Sequence, residues 1–122
     1  MPESKLQIDE RETHGVTVLI LTGQMLLDDG DLAFGRRVND LLARDRVKIL
    51  VDLAAVTAID SSGVGMMAAK LKDLRRKGGD MRLVRLTTHG HRLFNVLKLK
   101  TTFEVFDDEA PALRSYEFRP HG

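Results

Sequence analysis

The residues best suited to chemistry stand together at positions 60–65, where the sequence reads Asp60-Ser61-Ser62-Gly63-Val64-Gly65. An acid and two hydroxyls come directly before a segment with the apolar spacing of a helix. Serine is a favourable N-cap, because its oxygen accepts a hydrogen bond from the free N–H groups of the first turn. Those N–H groups and the helix dipole also favour a phosphate at that end. The pattern therefore indicates either a plain helix cap or a hydroxyl that a kinase modifies.

Catalysis by a nucleophilic serine requires a base and usually an orienting acid. The four histidines are His14, His89, His91 and His121, and all lie far from Ser61 in sequence. A nucleophile elbow has glycine two residues before the serine, and Ile59 or Asp60 stands there instead. The pair His89-x-His91 supplies two ligands without a nearby carboxylate, which does not make a metal site. We therefore expect no catalytic residues and no bound metal.

The glycine spacing Gly63-x-Gly65-x-x-Ala68 superficially matches a dinucleotide-binding fingerprint. That fingerprint follows its strand directly, so that the pyrophosphate meets the helix N-terminus. Here the preceding strand is predicted to end near Leu53, and a loop intervenes. Close packing of the helix against the sheet is the better explanation for the two glycines.

A response-regulator receiver is a further alternative for a chain of this size. Asp52 would be its phospho-acceptor, Thr87 or Thr88 its switch hydroxyl, and Lys98 or Lys100 its late lysine. Receivers resemble an alternating parallel fold in which an acid pair ends the first strand and leads into a helix. Here the acid pair at 9–10 leads into a second strand, which argues against a receiver.

Composition bounds the remaining possibilities. The 122 residues are 43% apolar and 30% charged with a net charge of +1, which is typical of one soluble globular domain. Such a balance does not indicate direct binding of nucleic acid. The chain has no cysteine, no signal-peptide pattern and no apolar run long enough to span a membrane. We expect a single domain over 1–122, with its core at about 6–117, in the cytoplasm.

Hydrophobic periodicity predicts the element order β-β-α-β-α-β-α-β-α. The strands are expected from Leu6, over 16–21, 47–53 and 81–86, and at 103–106. Helices fill the intervals after the second strand, and a last helix opens at 107–109 and carries Pro111 in its first turn. Residues 118–122 are expected to be a tail. A hairpin followed by strand–helix crossovers predicts an α/β fold with a mixed sheet.

The segment 60–65 resembles the signature of the STAS domain, and specifically that of bacterial anti-sigma factor antagonists. The likeness includes the strand and apolar loop at 51–59, and continues through 78–83, 92–94, 97–99, 103–106 and 109–110. It covers about Leu6 to Glu117, and the family fold agrees with the element order above. The central signature is the specific part, and the flanking matches are weaker.

The resemblance implies a partner switch without catalytic activity. In the family, the first serine after the aspartate is phosphorylated, which is Ser61 here. A serine kinase that is also the anti-sigma factor modifies it, and a PP2C-type phosphatase reverses the modification. The unphosphorylated antagonist binds the kinase, which then frees its sigma factor. No cofactor is implied for this chain, because ATP belongs to the partner. We expect a monomer or a weak homodimer.

The residues expected at the partner interface follow from the same resemblance. They are Asp60, Ser61, Ser62, Gly63, Val64 and Asp28. Within the segment, Ser62 is predicted to be the helix cap. Gly63 and Gly65 are predicted to allow another backbone to approach closely.

The chain departs from the family pattern after the second strand. The family commonly reads Gly-Glu-hydrophobic-Asp there, whereas Gly23 is followed here by Gln24-Met25-Leu26-Leu27 before Asp28. Either Asp28 takes the role of the family aspartate, or the partner is different. The apolar residues pack in the core or, if exposed, form a patch for a partner or for self-association. A signalling scaffold and a soluble STAS subunit of a transport system remain alternatives.

Overall fold

The computed structural model describes residues 4–117, so the tail predicted at 118–122 lies outside the described residues. The strands are β1 (Leu6–Thr13), β2 (Val16–Met25), β3 (Lys48–Ile59), β4 (Asp80–Val84) and β5 (Val105–Phe106). The helices are α1 (Gly30–Ala43), α2 (Ser61–Arg76), α3 (Thr88–Val96) and α4 (Glu109–Glu117). The predicted element order is confirmed. No helix in this part of the chain is both long and apolar enough to cross a membrane.

The strands form one mixed sheet in the order β1-β2-β3-β4-β5. β1 and β2 pair antiparallel, from Leu6 opposite Gly23 to Thr13 opposite Val16, and the other neighbours pair in parallel. The hairpin turn is His14-Gly15, with φ of 51° and 79°. Two positive φ values match the twist of a two-residue hairpin, and glycine adopts one of them without strain. The predicted N-terminal hairpin is therefore confirmed.

Both faces of the central strands are buried, which explains why β2 and β3 read as continuous apolar runs. Alternate side chains such as Leu19 and Val51 pack in the larger core, to which α1, α2 and α3 contribute. The intervening side chains, including Val18 and Leu50, pack against Ala112 and Tyr116 of α4 in a smaller core. α2 is therefore fixed along its length against one face of the sheet.

β3 is longer than predicted, because it continues through 54–59, where a loop was expected. Its register against β2 shifts twice, between Ile20 and Thr22 and again between Gly23 and Gln24. Each shift places an extra residue on β3 and breaks the alternation by which a strand is recognised in sequence. β3 thus reaches as far as Met25 of β2, which pairs with Ile59. The longer strand therefore places Asp60 next to the end of β2.

Smaller boundaries also differ from prediction: β2 continues to Met25, and β5 begins at Val105. β4 ends at Val84 because Arg85 adopts a φ of 58°, which an extended strand cannot accommodate. α3 is capped by Thr87, whose hydroxyl accepts a hydrogen bond from the Gly90 N–H.

The attachment of α4 can be tested through Tyr116, which is buried. Its hydroxyl donates a hydrogen bond of 2.7 Å to the Ile49 carbonyl, and the Arg82 guanidinium lies 4.1 Å from its ring centre. Tyr116→Phe keeps the ring and removes the hydroxyl, so the free energy of unfolding should fall by about 1 kcal/mol in urea titrations. Arg114→Ala, at an exposed position of α4, is the control and should change it by less than about 0.5 kcal/mol. Equal effects of the two substitutions would contradict the assigned bond.

Candidate functional site

Asp60 is the N-cap of α2 and joins the helix to the loop after β2. Its backbone is extended, with φ −116° and ψ −178°. Its Oδ1 accepts a hydrogen bond of 3.0 Å from the Gly63 N–H, and its Oδ2 accepts one of 3.0 Å from the Leu27 N–H. The prediction that Ser62 caps the helix is wrong. The helix begins at Ser61, so Asp60 is the flanking residue whose side chain reaches the free N–H groups.

Ser61 is the first residue of α2, and its side chain is exposed. Ser62 is half-buried. The Ser61 hydroxyl hydrogen-bonds to none of the residues in 4–117. It therefore stands uncovered at the positive end of the helix dipole, beside the Asp60 carboxylate.

Gly63 lies against the end of β2, whereas Gly65 does not pack closely against anything. A Cβ on Gly63 would lie 2.7 Å from the Met25 carbonyl oxygen, while a Cβ on Gly65 would meet no atom within 4 Å. The predicted close approach is therefore confirmed for Gly63 and wrong for Gly65. The Asp60 N–H also faces the Met25 oxygen, at 3.4 Å. These contacts place the first turn of α2 on the last residues of β2.

Val64 was predicted to contact a partner, but it is fully buried in the larger core. It is the first core residue of α2, and the helical spacing continues with Met67 and Leu71. Gly63 is buried as well. Both residues position the site, and the accessible side chains of the signature are those of Asp60, Ser61 and Ser62.

The segment that departs from the family pattern is divided between the core and the surface. Met25 is fully buried, whereas the Leu27 side chain is 61% exposed. Asp28 is exposed and adopts a φ of 61°, and its carboxylate pairs with no side chain among residues 4–117. Because the Leu27 N–H is bonded to Asp60, the structure brings the backbone just before Asp28 to the site.

α3 also begins at this end of the sheet. A ring nitrogen of His89, Nε2, lies 3.3 Å from the carbonyl oxygen of Ile59. The Nδ1 atom of His91 is buried without a hydrogen-bond partner among residues 4–117. His89 lies 30 residues after Ile59 in sequence, so no local pattern predicted their contact. Its contact is with backbone, and it makes no hydrogen bond to Ser61.

Asp52 does not offer an accessible phospho-acceptor. It is buried, accepts a hydrogen bond of 3.1 Å from the Ala54 N–H and forms an ion pair with Arg85. The hydrogen bond that Arg85 donates to Asp52, followed by the negative charge of Asp52, raises the pKa of the Arg85 guanidinium. With the antiparallel hairpin at its edge, the sheet is not that of a receiver, and that alternative is wrong.

The mixed sheet with its N-terminal hairpin and the helix capped by Asp60 together define a class of α/β domain. The STAS domain family matches residues 7–112, and the chain belongs to that family.

Comparison with individual proteins agrees with this assignment. An anti-sigma F factor antagonist of Paenibacillus polymyxa is 27% identical over 92% of this chain and 96% of its own. The crystal structure of a Thermotoga maritima protein superposes with a TM-score of 0.83 at 22% identity, over 91% and 95% of the two chains. Bacillus SpoIIAA in its phosphorylated form superposes with a TM-score of 0.70 at 17% identity, over 91% and 98%. The two structures establish the fold alone.

The packing of the first turn of α2 predicts opposite outcomes at its two glycines. Gly63→Ala places a methyl group against the backbone of Met25, which cannot yield as a side chain can, so it should cost about 1–3 kcal/mol of stability. At Gly65, within α2, the added methyl group of Gly65→Ala would not clash. This substitution should stabilise the chain, because alanine is favoured over glycine in a helix by about 0.5–1 kcal/mol. Thermal unfolding of both variants checks the pair. Equal destabilisation would contradict the described contact.

Proposed function

We propose that this chain is an anti-sigma factor antagonist whose binding to its partner is controlled by phosphorylation of Ser61. The observation that carries the proposal is the exposed hydroxyl of Ser61 at the start of α2, beside the Asp60 cap. The name of the Paenibacillus relative supports the antagonist role. The phosphorylated form of the similarly folded SpoIIAA supports the control.

The proposed partner is an anti-sigma factor that is also a serine kinase. The unphosphorylated chain binds this kinase, and the kinase releases its sigma factor. In the modification, Ser61 Oγ attacks the γ-phosphorus of the kinase's ATP, the bond to the ADP oxygen breaks, and the serine proton passes to a base of the kinase. A PP2C-type phosphatase returns the hydroxyl by hydrolysis. This chain supplies the accepting oxygen and neither a catalytic group nor a cofactor.

Electrostatic repulsion at the cap explains how one phosphate group is enough to weaken binding to the partner. A phosphoserine adds about −1.5 to −2 charges near neutral pH. At ~6 Å from the Asp60 carboxylate, each pair of unit charges repels by about 3 kcal/mol at an effective dielectric constant of ~20. The dipole of α2 attracts the phosphate and offsets about 0.3–1 kcal/mol of this repulsion. The free domain tolerates this charge in water, whereas a closed interface desolvates it. A loss of about 3 kcal/mol weakens binding roughly a hundredfold.

The test incubates the chain with the serine kinases of its source organism and ATP, and locates the phosphate by mass spectrometry. We expect modification at Ser61 and none at the half-buried Ser62. Ser61→Ala should bind the kinase as the wild type does, and Ser61→Asp should bind about 10- to 100-fold more weakly, since it places a second carboxylate beside Asp60.

Ser62→Ala is the matched control and should be phosphorylated and bound like the wild type. Equal kinase affinities for Ser61→Ala and Ser61→Asp would contradict the electrostatic switch. Absence of modification at Ser61, with stable binding to a transporter ATPase, would replace the proposal with a transport subunit. Absence of modification with stable binding to another signalling protein would replace it with a scaffold.

A further inference from the structure

The phosphorylation switch does not account for the apolar surface at the Ser61 end of the molecule. Among residues 4–117, three large apolar side chains are exposed: Leu27 at 61%, Leu32 at 42% and Val96 at 75%. Single exposed leucines are ordinary in soluble proteins. Here, however, Leu27 and Leu32 stand on either side of the start of α1, and the backbone of Leu27 is bonded to the residue before Ser61.

From Leu32 the surface continues between α1 and α2. A shallow groove of about 130 Å³ lies there, lined by Leu32, Gly35, Arg36, Asn39, Met66 and Lys70. Met66 is half-buried, and its sulfur is so close to Gly35 that a Cβ there would lie 2.7 Å from it. Methionine side chains adapt readily to a second surface. We name Leu27, Leu32 and Met66 the apolar strip.

We propose that Leu27 is the apolar anchor by which this chain binds its anti-sigma partner, an inference that rests on the proposed function. The backbone of Leu27 is attached to the Ser61 site, because the Asp60 carboxylate accepts hydrogen bonds from both the Leu27 N–H and the Gly63 N–H. Asp28 follows Leu27, and its exposed carboxylate has no partner among residues 4–117. The complementary surface is an apolar hollow with a lysine or arginine at its rim, opposite Asp28.

The Asp60 carboxylate also connects the phosphate to this anchor. Its Oδ2 accepts the hydrogen bond that holds the Leu27 N–H. A phosphate on Ser61 places like charge beside that carboxylate and so weakens its hold on the Leu27 loop. Phosphorylation therefore acts twice on the interface, by its own charge and by releasing the anchor.

The experiment compares Leu27→Ser with Val96→Ser, a matched loss of an exposed apolar side chain on another part of the surface. Kinase affinity is measured by titration calorimetry on the full chain, and thermal unfolding shows that both variants remain folded. Leu27→Ser should weaken binding about 10- to 100-fold, as expected for a buried interface anchor. Val96→Ser should bind within about twofold of the wild type, as expected for a residue outside the interface.

The three titrations separate this inference from the function on which it rests. If Leu27→Ser binds as tightly as Val96→Ser and the wild type, the anchor is wrong and the switch stands. If none of the three binds the kinase, the proposed function fails, and the anchor fails with it. If sedimentation shows a wild-type homodimer that Leu27→Ser abolishes while kinase affinity is unchanged, the strip binds a second copy, and the proposal is overturned.

The connection through Asp60 has a separate readout. Hydrogen exchange of the Leu27 amide, followed by NMR, should accelerate at least about fivefold when Ser61 is phosphorylated, because exchange reports local opening of the hydrogen bond. The amide of Val51, in the centre of the sheet, is the control and should not change. An unchanged Leu27 amide would overturn the coupling.

Discussion

The site depends on one carboxylate that accepts two backbone hydrogen bonds. Asp60 holds the Gly63 N–H with one oxygen and the Leu27 N–H with the other. The first bond caps α2, and the second attaches the loop that follows β2. Ser61 lies immediately after this junction and is itself exposed. Any charge added to Ser61 is therefore added next to the group that joins the two surface elements.

The sheet explains why a carboxylate stands at this point. Two extra residues in β3 extend the strand to Ile59, opposite Met25 at the end of β2. Asp60 then leaves the sheet where the β2 chain also turns away, and Gly63 allows the helix to lie directly on the Met25 backbone. The core fixes α2 behind this turn through Val64, Met67 and Leu71. The packed helix presents Ser61, and the Asp60 carboxylate joins that helix to the loop through the Leu27 N–H.

The sequence predicted those features that follow from local periodicity. The order of elements and the N-terminal hairpin are confirmed. The extension of β3 was missed because its two register shifts disturb the alternation of apolar residues. The cap was assigned to Ser62 because that residue lies nearer to the predicted first turn, whereas the helix begins at Ser61 and makes Asp60 the cap. The contact of Leu27 with Asp60 spans 33 residues and has no local signal.

The effect of phosphorylation on kinase affinity is measured most directly by a calorimetric titration of the kinase with two forms of the wild-type chain. One form is unphosphorylated, and the other carries a single phosphate on Ser61, verified by mass spectrometry. We expect the phosphate on Ser61 to raise the dissociation constant roughly a hundredfold, equivalent to about 3 kcal/mol. Equal dissociation constants for the two forms would contradict it, because the added charge beside Asp60 would then have no effect on association.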